Sequence, residues 1–294
     1  MKKEKKQPKL AKRHKHLNRS GTGNFISFLF LLLLGLAMLF PFVYAINNAF
    51  KPLNEIFIYP PKLFVQHPTT DNFTQLFVLM QESTVSFSRY IFNTLVVTVI
   101  GTLGHVIFAS LAGFVLSKYE FPGRRMLFTL ITTSLMFISQ ITGIVNYITI
   151  SSLGILDTAL AVIIPALGSS MGVFLMKQFV DSMVPGPVLE SAAVDGAGLL
   201  RTFWTIVMPM VKPAWITLII FDIQSLWNTD GGTYLISEQK KTLSYALSQI
   251  TASGISRMGV ASAASVIIMI VPIVTFIITQ SNVVETMAAS GIKE

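Results

Sequence analysis

The chain has 294 residues, 52% of them hydrophobic and 12% charged, against about 25% charged in soluble domains. Its apolar residues come in long blocks, which excludes a single large soluble core. There is no cysteine, which excludes disulfides, thiol chemistry and Cys-ligated metals, and the net charge of +8 is concentrated in the first twenty residues, where it reads as an orienting and headgroup-binding signal rather than a nucleic-acid surface.

Residues 1–24 form a basic tail with nine Lys and Arg between Lys2 and Arg19. The first apolar block, Phe25–Ala49, is too long for a signal-peptide core and lacks a convincing cleavage site, so it reads as an uncleaved span. A hydrocarbon core about 30 Å thick takes about 20 helical residues. Ile91–Leu116, Met126–Ile150, Ala159–Met176 and Met258–Thr279 come near that length. Ala214–Trp227 is shorter and carries Asp222, Gln224 and Ser225; it reads as a span whose polar residues face a pathway. The expectation is an all-α integral membrane protein with six transmembrane helices in one domain, 25–294, and both ends on one side.

Between the spans, 50–90 holds Pro52, Pro60, Pro61 and Pro68 and reads as irregular. The 228–257 loop holds Asp230-Gly231-Gly232, Lys240-Lys241 and an amphipathic run, Leu243–Ile250, that suits either the membrane surface or an external protein. Gly168 and Gly172, and Ala109 and Gly113, make small-x-x-x-small steps that let helices approach closely. Sixteen of the twenty-two Lys and Arg fall on one side: the nine of the tail with Lys118, Arg124, Arg125, Lys177, Arg201, Lys212 and Lys293. Lys51, Lys62, Arg89, Lys240, Lys241 and Arg257 fall on the other. By the positive-inside rule both termini and 181–212 are cytoplasmic, and 50–90 and 228–257 are external.

The stretch from Pro187 to Pro213 differs from the apolar blocks around it. Pro187 suits a first helical position, and Glu190 lies in the early turns, where the helix dipole favours a carboxylate. Asp195-Gly196 breaks the run, and a second run, Leu199 to Val207, ends at Pro209, with Pro213 stopping any continuation. The reading is helix–turn–helix with a small-residue surface at Ala192, Ala193 and Ala197. The pattern Glu190, Ser191, Ala192, Ala193, Asp195, Gly196, Ala197, Pro209, Pro213 resembles the EAA loop of ABC-importer permeases, with Ser191 where that family usually has Ala. Leu153-Gly154-Ile155-Leu156-Asp157-Thr158 and Glu120-Phe121-Pro122-Gly123-Arg124 resemble connecting segments of the carbohydrate branch, in the manner of the maltose permease's smaller subunit.

The resemblance implies a permease subunit of a binding-protein-dependent importer for oligosaccharides in a bacterial cell membrane, working by ATP-driven alternating access. It implies a second related permease, two cytoplasmic ATPase subunits and an external solute-binding protein. Glu190, Ala192, Ala193, Asp195, Gly196, Ala197 and Pro209 would couple the chain to the ATPase, which would hold ATP and Mg; the chain itself would hold no cofactor and no metal, and would be no enzyme. It has no G-x-x-x-x-G-K-[ST] cradle for phosphates and no metal-ligand spacing. His14, His16, His67 and His105 are scattered. A secondary transporter or channel is the alternative, and it would leave the EAA-like stretch without a purpose. For the solute path the candidates are Asp222, Gln224, Trp227 and Asn228, with Gln140 and Asn146 behind them. Amides and carboxylates suit sugar hydroxyls and an aromatic ring can cover a sugar's apolar face, but the same groups also suit bonding between helices.

Overall fold

In a computed structural model the described residues are 21–81, 85–137, 139–252, 254 and 257–291, without side chains at 139–141, 251 and 281–291. Most of the basic tail, Lys293 and the side chain of Gln140 therefore lie outside the described residues. The chain divides between Ala45 and Ile46 into two units. The first holds α1 (Gly21–Phe50) up to Ala45. This stretch is almost wholly apolar, carries Pro41 inside the helix, and stacks Phe40 on Tyr44 with ring centres 6.2 Å apart.

The second unit holds only helices, joined by turns and loops, with no strand among its described residues. Its elements are α2 (Leu53–Ile56), α3 (Asp71–Gln81), α4 (Phe87–Lys118), α5 (Arg124–Ser134), α6 (Ser139–Ser152), α7 (Leu160–Leu167), α8 (Ser170–Met183), α9 (Gly186–Val194) and α10 (Leu199–Thr202). A π-helical turn, Phe203–Val207, leads into α11 (Met208–Met210), followed by α12 (Lys212–Trp227), α13 (Leu243–Thr251) and α14 (Met258–Gly291). Among the described residues four stretches are long and apolar enough to cross a membrane: Thr22–Phe50, Phe87–Lys118, Leu160–Met183 and Met258–Gln280. A fifth forms if Leu199–Met210 and Lys212–Trp227, bent by 81°, are taken together. The 126–150 block consists of two helices, α5 and α6, and the 159–176 block breaks at Gly168–Ser169 between α7 and α8, three residues after Pro165.

Helix α4 is the centre of this unit, packed against α8 and α12. Small residues set the α4–α8 distance. A Cβ on Gly113 would lie 2.8 Å from the Lys177 amide nitrogen and 2.8 Å from Met176 Cβ, and one on Gly172 would lie 3.2 Å from Ala109 Cβ. Gly168, by contrast, has only the Pro165 carbonyl nearby, at 3.7 Å. Successive contacts, Gly172 with His105, Met176 with Gly113, and Asp181 with Ser117, show that α8 runs the same way as α4. Asp222 with His105 and Leu226 with Gly101 show that α12 runs the opposite way. Because α4 and α8 are parallel, the chain from 119 to 159 must travel back from one end of the bundle to the other.

Two regions read as loops from sequence are structured. In 50–90, α3 docks by Leu76 and Met80, and the buried Asn72 amide donates to the Ala49 carbonyl at 2.9 Å and the Lys51 carbonyl at 2.7 Å. Glu55 accepts the Gln66 amide at 2.6 Å, closing the proline-rich turn. The amphipathic α13 is not a surface helix: Leu243 and Leu247 are buried with Tyr90, Trp227, Val260 and Ala263. Its apolar face closes the end of the bundle, which is why a strong helical pattern appears outside the spans.

Candidate functional site

Residues 184–211 hang from one end of the bundle between α8 and α12. Pro187 lies in the first turn of α9, where its missing N–H costs nothing. The helix ends in a Schellman turn: the Ala197 amide donates to the Ala192 carbonyl at 2.9 Å and the Gly196 amide to the Ala193 carbonyl at 3.1 Å. Gly196 has φ +73°, a left-handed conformation that side chains disfavour, and a Cβ there would meet nothing of this chain within 4 Å. Ala192 turns inward, 4% exposed, so the small-residue surface consists of Ala193, Gly196 and part of Ala197. Val194, 88% exposed, and the exposed Leu199 and Leu200 flank it. Sequence reading missed these three as site residues, because in an apolar run nothing marks which members face out. Glu190 and Asp195 are exposed, and among the described residues Glu190 forms no hydrogen bond or ion pair.

The second run does not end at Pro209. It passes through the π turn, which buries Phe203 and Val207 against Phe114, Met176, Val180, Val184 and Leu218, and stops at Met210. The bend follows at Val211, where the Trp215 indole donates to the Met208 carbonyl at 3.0 Å. Pro213 lies in the first turn of α12, so it opens the next helix as well as ending the previous one. Pro209 is exposed.

The polar residues of α12 separate into two groups. His105 Nδ1 lies 2.8 Å from both oxygens of Asp222, with His105 only 2% exposed. Trp227, 7% exposed, donates its indole N–H to the Ile268 carbonyl of α14 at 2.9 Å. These two side chains are engaged inside the subunit. Gln224, Ser225 and Asn228 lie on the exposed side with Phe221; the Asn228 amide donates to the Gln224 carbonyl at 2.7 Å. Next to this face a cavity of about 190 Å³ is lined by Ser225, Thr229, Asp230, Gly231 and Tyr234. His105 was passed over in sequence as one of several scattered histidines; its only signal is its place inside an apolar span. Asn146 falls on α6 and is exposed.

At the same end of the bundle Asp157 ties two loops together. It adopts φ +59° and accepts from the Ile236 amide at 2.9 Å, the Ser237 amide at 2.8 Å, the Ser237 hydroxyl and the Lys240 ammonium at 2.9 Å. Burial raises the carboxyl's pKa, but the Ser237 hydroxyl and amide, the Lys240 ammonium and the Ile236 amide outweigh it and hold the group well below the usual carboxylate range. No group of three or more His, Cys, Asp and Glu among the described residues is placed to hold a metal ion.

Comparison with known proteins agrees with this geometry. Residues 105–286 match the family described as binding-protein-dependent transport system inner membrane component. The maltodextrin transport system permease protein MdxG of Bacillus subtilis strain 168 is 30% identical over 280 residues, 91% of this chain and 95% of that one. The arabinooligosaccharides transport system permease protein AraQ of the same organism is 26% identical, covering 90% of this chain and 94% of its own. The crystal structure of a bacterial ABC transporter involved in the import of the acidic polysaccharide alginate contains a chain with the same fold, TM-score 0.75 at 21% identity, covering 90% of this chain and 99% of that one. A helical membrane protein whose span-rich part matches that family, and which runs nearly the full length of its permeases, belongs to it: this chain is a permease subunit of the binding-protein-dependent ABC importers.

Proposed function

We propose that this subunit imports an oligosaccharide, and that residues 184–211 take up the force of a cytoplasmic ATPase. The observation carrying the coupling reading is the exposed Schellman turn, with Val194, Leu199 and Leu200 around Gly196, in the segment that joins α8 to α12. An exposed apolar, small-residue knob of this kind suits a socket on a partner, since docking would remove Val194, Leu199 and Leu200 from water. Glu190, without a hydrogen bond or ion pair among the described residues, is available to a cation on the ATPase. Asp195, Ala193 and part of Ala197 share the exposed surface, while Ala192 supports it from beneath; Pro209 is exposed elsewhere, in an apolar groove with Leu103, Ile107 and Ile219.

The oligosaccharide substrate is inferred from what MdxG and AraQ are named for. The Gln224, Ser225 and Asn228 face of α12 suits it, because exposed amides and hydroxyls are out of place against lipid and would face a solute path or a second permease. ATP and Mg belong to the ATPase in this reading, two copies of which serve a pair of related permeases and an external binding protein. Six crossings are the reading of the apolar blocks, and the sixteen-to-six Lys/Arg split puts both termini and 181–212 in the cytoplasm; the parallel α4 and α8, with α5 and α6 travelling back between them, support the count.

The test uses single cysteines, since the chain has none of its own. With a cysteine at Ser182, an impermeant maleimide should label inverted vesicles and spare intact cells; labelling in intact cells overturns the orientation. Co-purification of the ATPase and maltodextrin uptake in reconstituted vesicles check the coupling and the substrate class separately.

A further inference from the structure

We infer that His105 is a positioning residue for transport: it fastens both helices that carry residues 184–211 to α4, and so passes displacement of that segment to the Gln224–Asn228 face. This rests on the coupling role proposed above. Helix α8 enters the segment and α12 leaves it, and both meet the same imidazole at the same level of α4. On one side Nδ1 lies 2.8 Å from both Asp222 oxygens. On the other, the ring lies over Gly172 so closely that a Cβ there would come within 2.2 Å of Nε2.

Three features separate this contact from ordinary packing. An ionisable pair inside apolar spans is costly, and replacing such a pair by well-packed apolar residues is often neutral or stabilising, so stability alone does not call for it. Gly172 costs helix propensity, and its neighbours leave room for the imidazole and for little else. On α4, α7, α8 and α12 the only other charged groups are Arg89, Lys118, Lys177, Asp181 and Lys212; the first two and Lys212 lie in end turns, and Lys177 pairs with Asp181. A tie with no alternative partner is either made or broken, which is the property a transmitted motion needs. With Nδ1–H donating to Asp222, Nε2 is left buried without a hydrogen-bond partner among the described residues. The bond therefore runs to α12 alone, while α8 is held by shape.

The experiment uses the full chain assembled with its ATPase and second permease in vesicles, and a single cysteine at Ser225 as reporter. The readout is the rate of labelling by a small maleimide with and without ATP, which does not require the solute to be known. In the otherwise unsubstituted chain ATP should change that rate. His105→Leu should reduce the change by about fivefold or more, the scale of coupling carried by such contacts, while the ATPase still co-purifies and hydrolyses ATP. His105→Asn keeps a donor where Nδ1 stands and should retain most of the response. Gly172→Ala should impair it, and adding His105→Asn, which shortens the side chain facing the new methyl, should restore it. A full response in His105→Leu overturns the inference. So does a double variant no better than Gly172→Ala alone, and that pair decides the matter if His105→Leu fails to assemble. Loss of ATPase co-purification from the unsubstituted chain would overturn the coupling reading, and this inference with it.

Discussion

Residues 184–211 and the His105–Asp222–Gly172 contact lie along one proposed line of force, yet they are encoded in opposite ways. The segment is local. Its turn is made by residues within six positions of one another, it is exposed, and its backbone conformation is dictated by Gly196. The contact joins three helices, with His105 and Asp222 117 residues apart, and is almost fully buried. Local devices can be strengthened or broken by one residue. Long-range ones respond to pairs, and their single variants are ambiguous until a second change answers the first.

The largest effect should come from the local device. Gly196→Val forces a β-branched residue into a left-handed turn, a strain of about 1–2 kcal/mol or more, and puts a side chain on the exposed knob. Uptake should fall to background and the ATPase should no longer co-purify, while the permease still inserts. Gly196→Asn sharpens the point, since Asn tolerates this conformation. If Asn restores ATPase binding, the backbone is what matters; if it is as damaging as Val, the partner needs the room.

Glu190→Ala should weaken ATPase co-purification by about tenfold, the loss expected when one side of a charge pair is removed from an interface. Glu190→Gln should be equally weak if charge is the cause. The exposed Arg201→Ala serves as a mild control, and equal losses in both would show that the segment's surface is not specific.

Smaller effects are expected where polar groups face outward. Gln224→Ala and Asn228→Ala should each lower maltodextrin uptake about threefold, the order of one lost hydrogen bond to a neutral group, with complex yield unchanged. A drop in yield before any drop in uptake would move this face from the solute path to a helix interface.

The smallest effect should be Asp157→Asn, read as a few degrees in the thermal midpoint of the purified complex. The sign is fixed by the depressed pKa: a carboxylate held below its ordinary range adds stability that is fully present above the unfolded value and lost as pH falls through the folded one. The gap between wild type and variant should thus stay constant from about pH 5 to 8 and close only in strong acid. A gap that narrows already near pH 6 would mean the Lys240 and Ser237 contacts are not what holds Asp157.

What was legible in the sequence follows the same division. Apolar blocks located the long helices because burial in lipid is a composition rule. Asp195-Gly196 located the turn because positive φ is a residue-type rule. Ala109, Gly113 and Gly172 announced close helix approach by spacing alone. Trp227 was legible as an aromatic at the end of a span, but its indole serves the Ile268 carbonyl, a partner 41 residues away that no local pattern names. Asp222 stood out as an acid in a span, and its partner did not, because one histidine among apolar residues has no period. The amphipathic pattern of α13 was clear while the surface it covers was not, since membrane, partner protein and the subunit's own core all accept the same apolar face.

The Asp157 clamp has a mechanical meaning. It joins the loop before α7 to the loop after α12, and residues 184–211 join the opposite ends of α8 and α12. Two struts linked at both ends make a closed frame. A frame resists being spread at one corner, so a push on its lower bar cannot be absorbed by prising α8 from α12. Under the coupling proposed above, such a push would turn the frame about its His105 contact with α4, and a short stroke at residues 184–211 would tilt the polar face of α12.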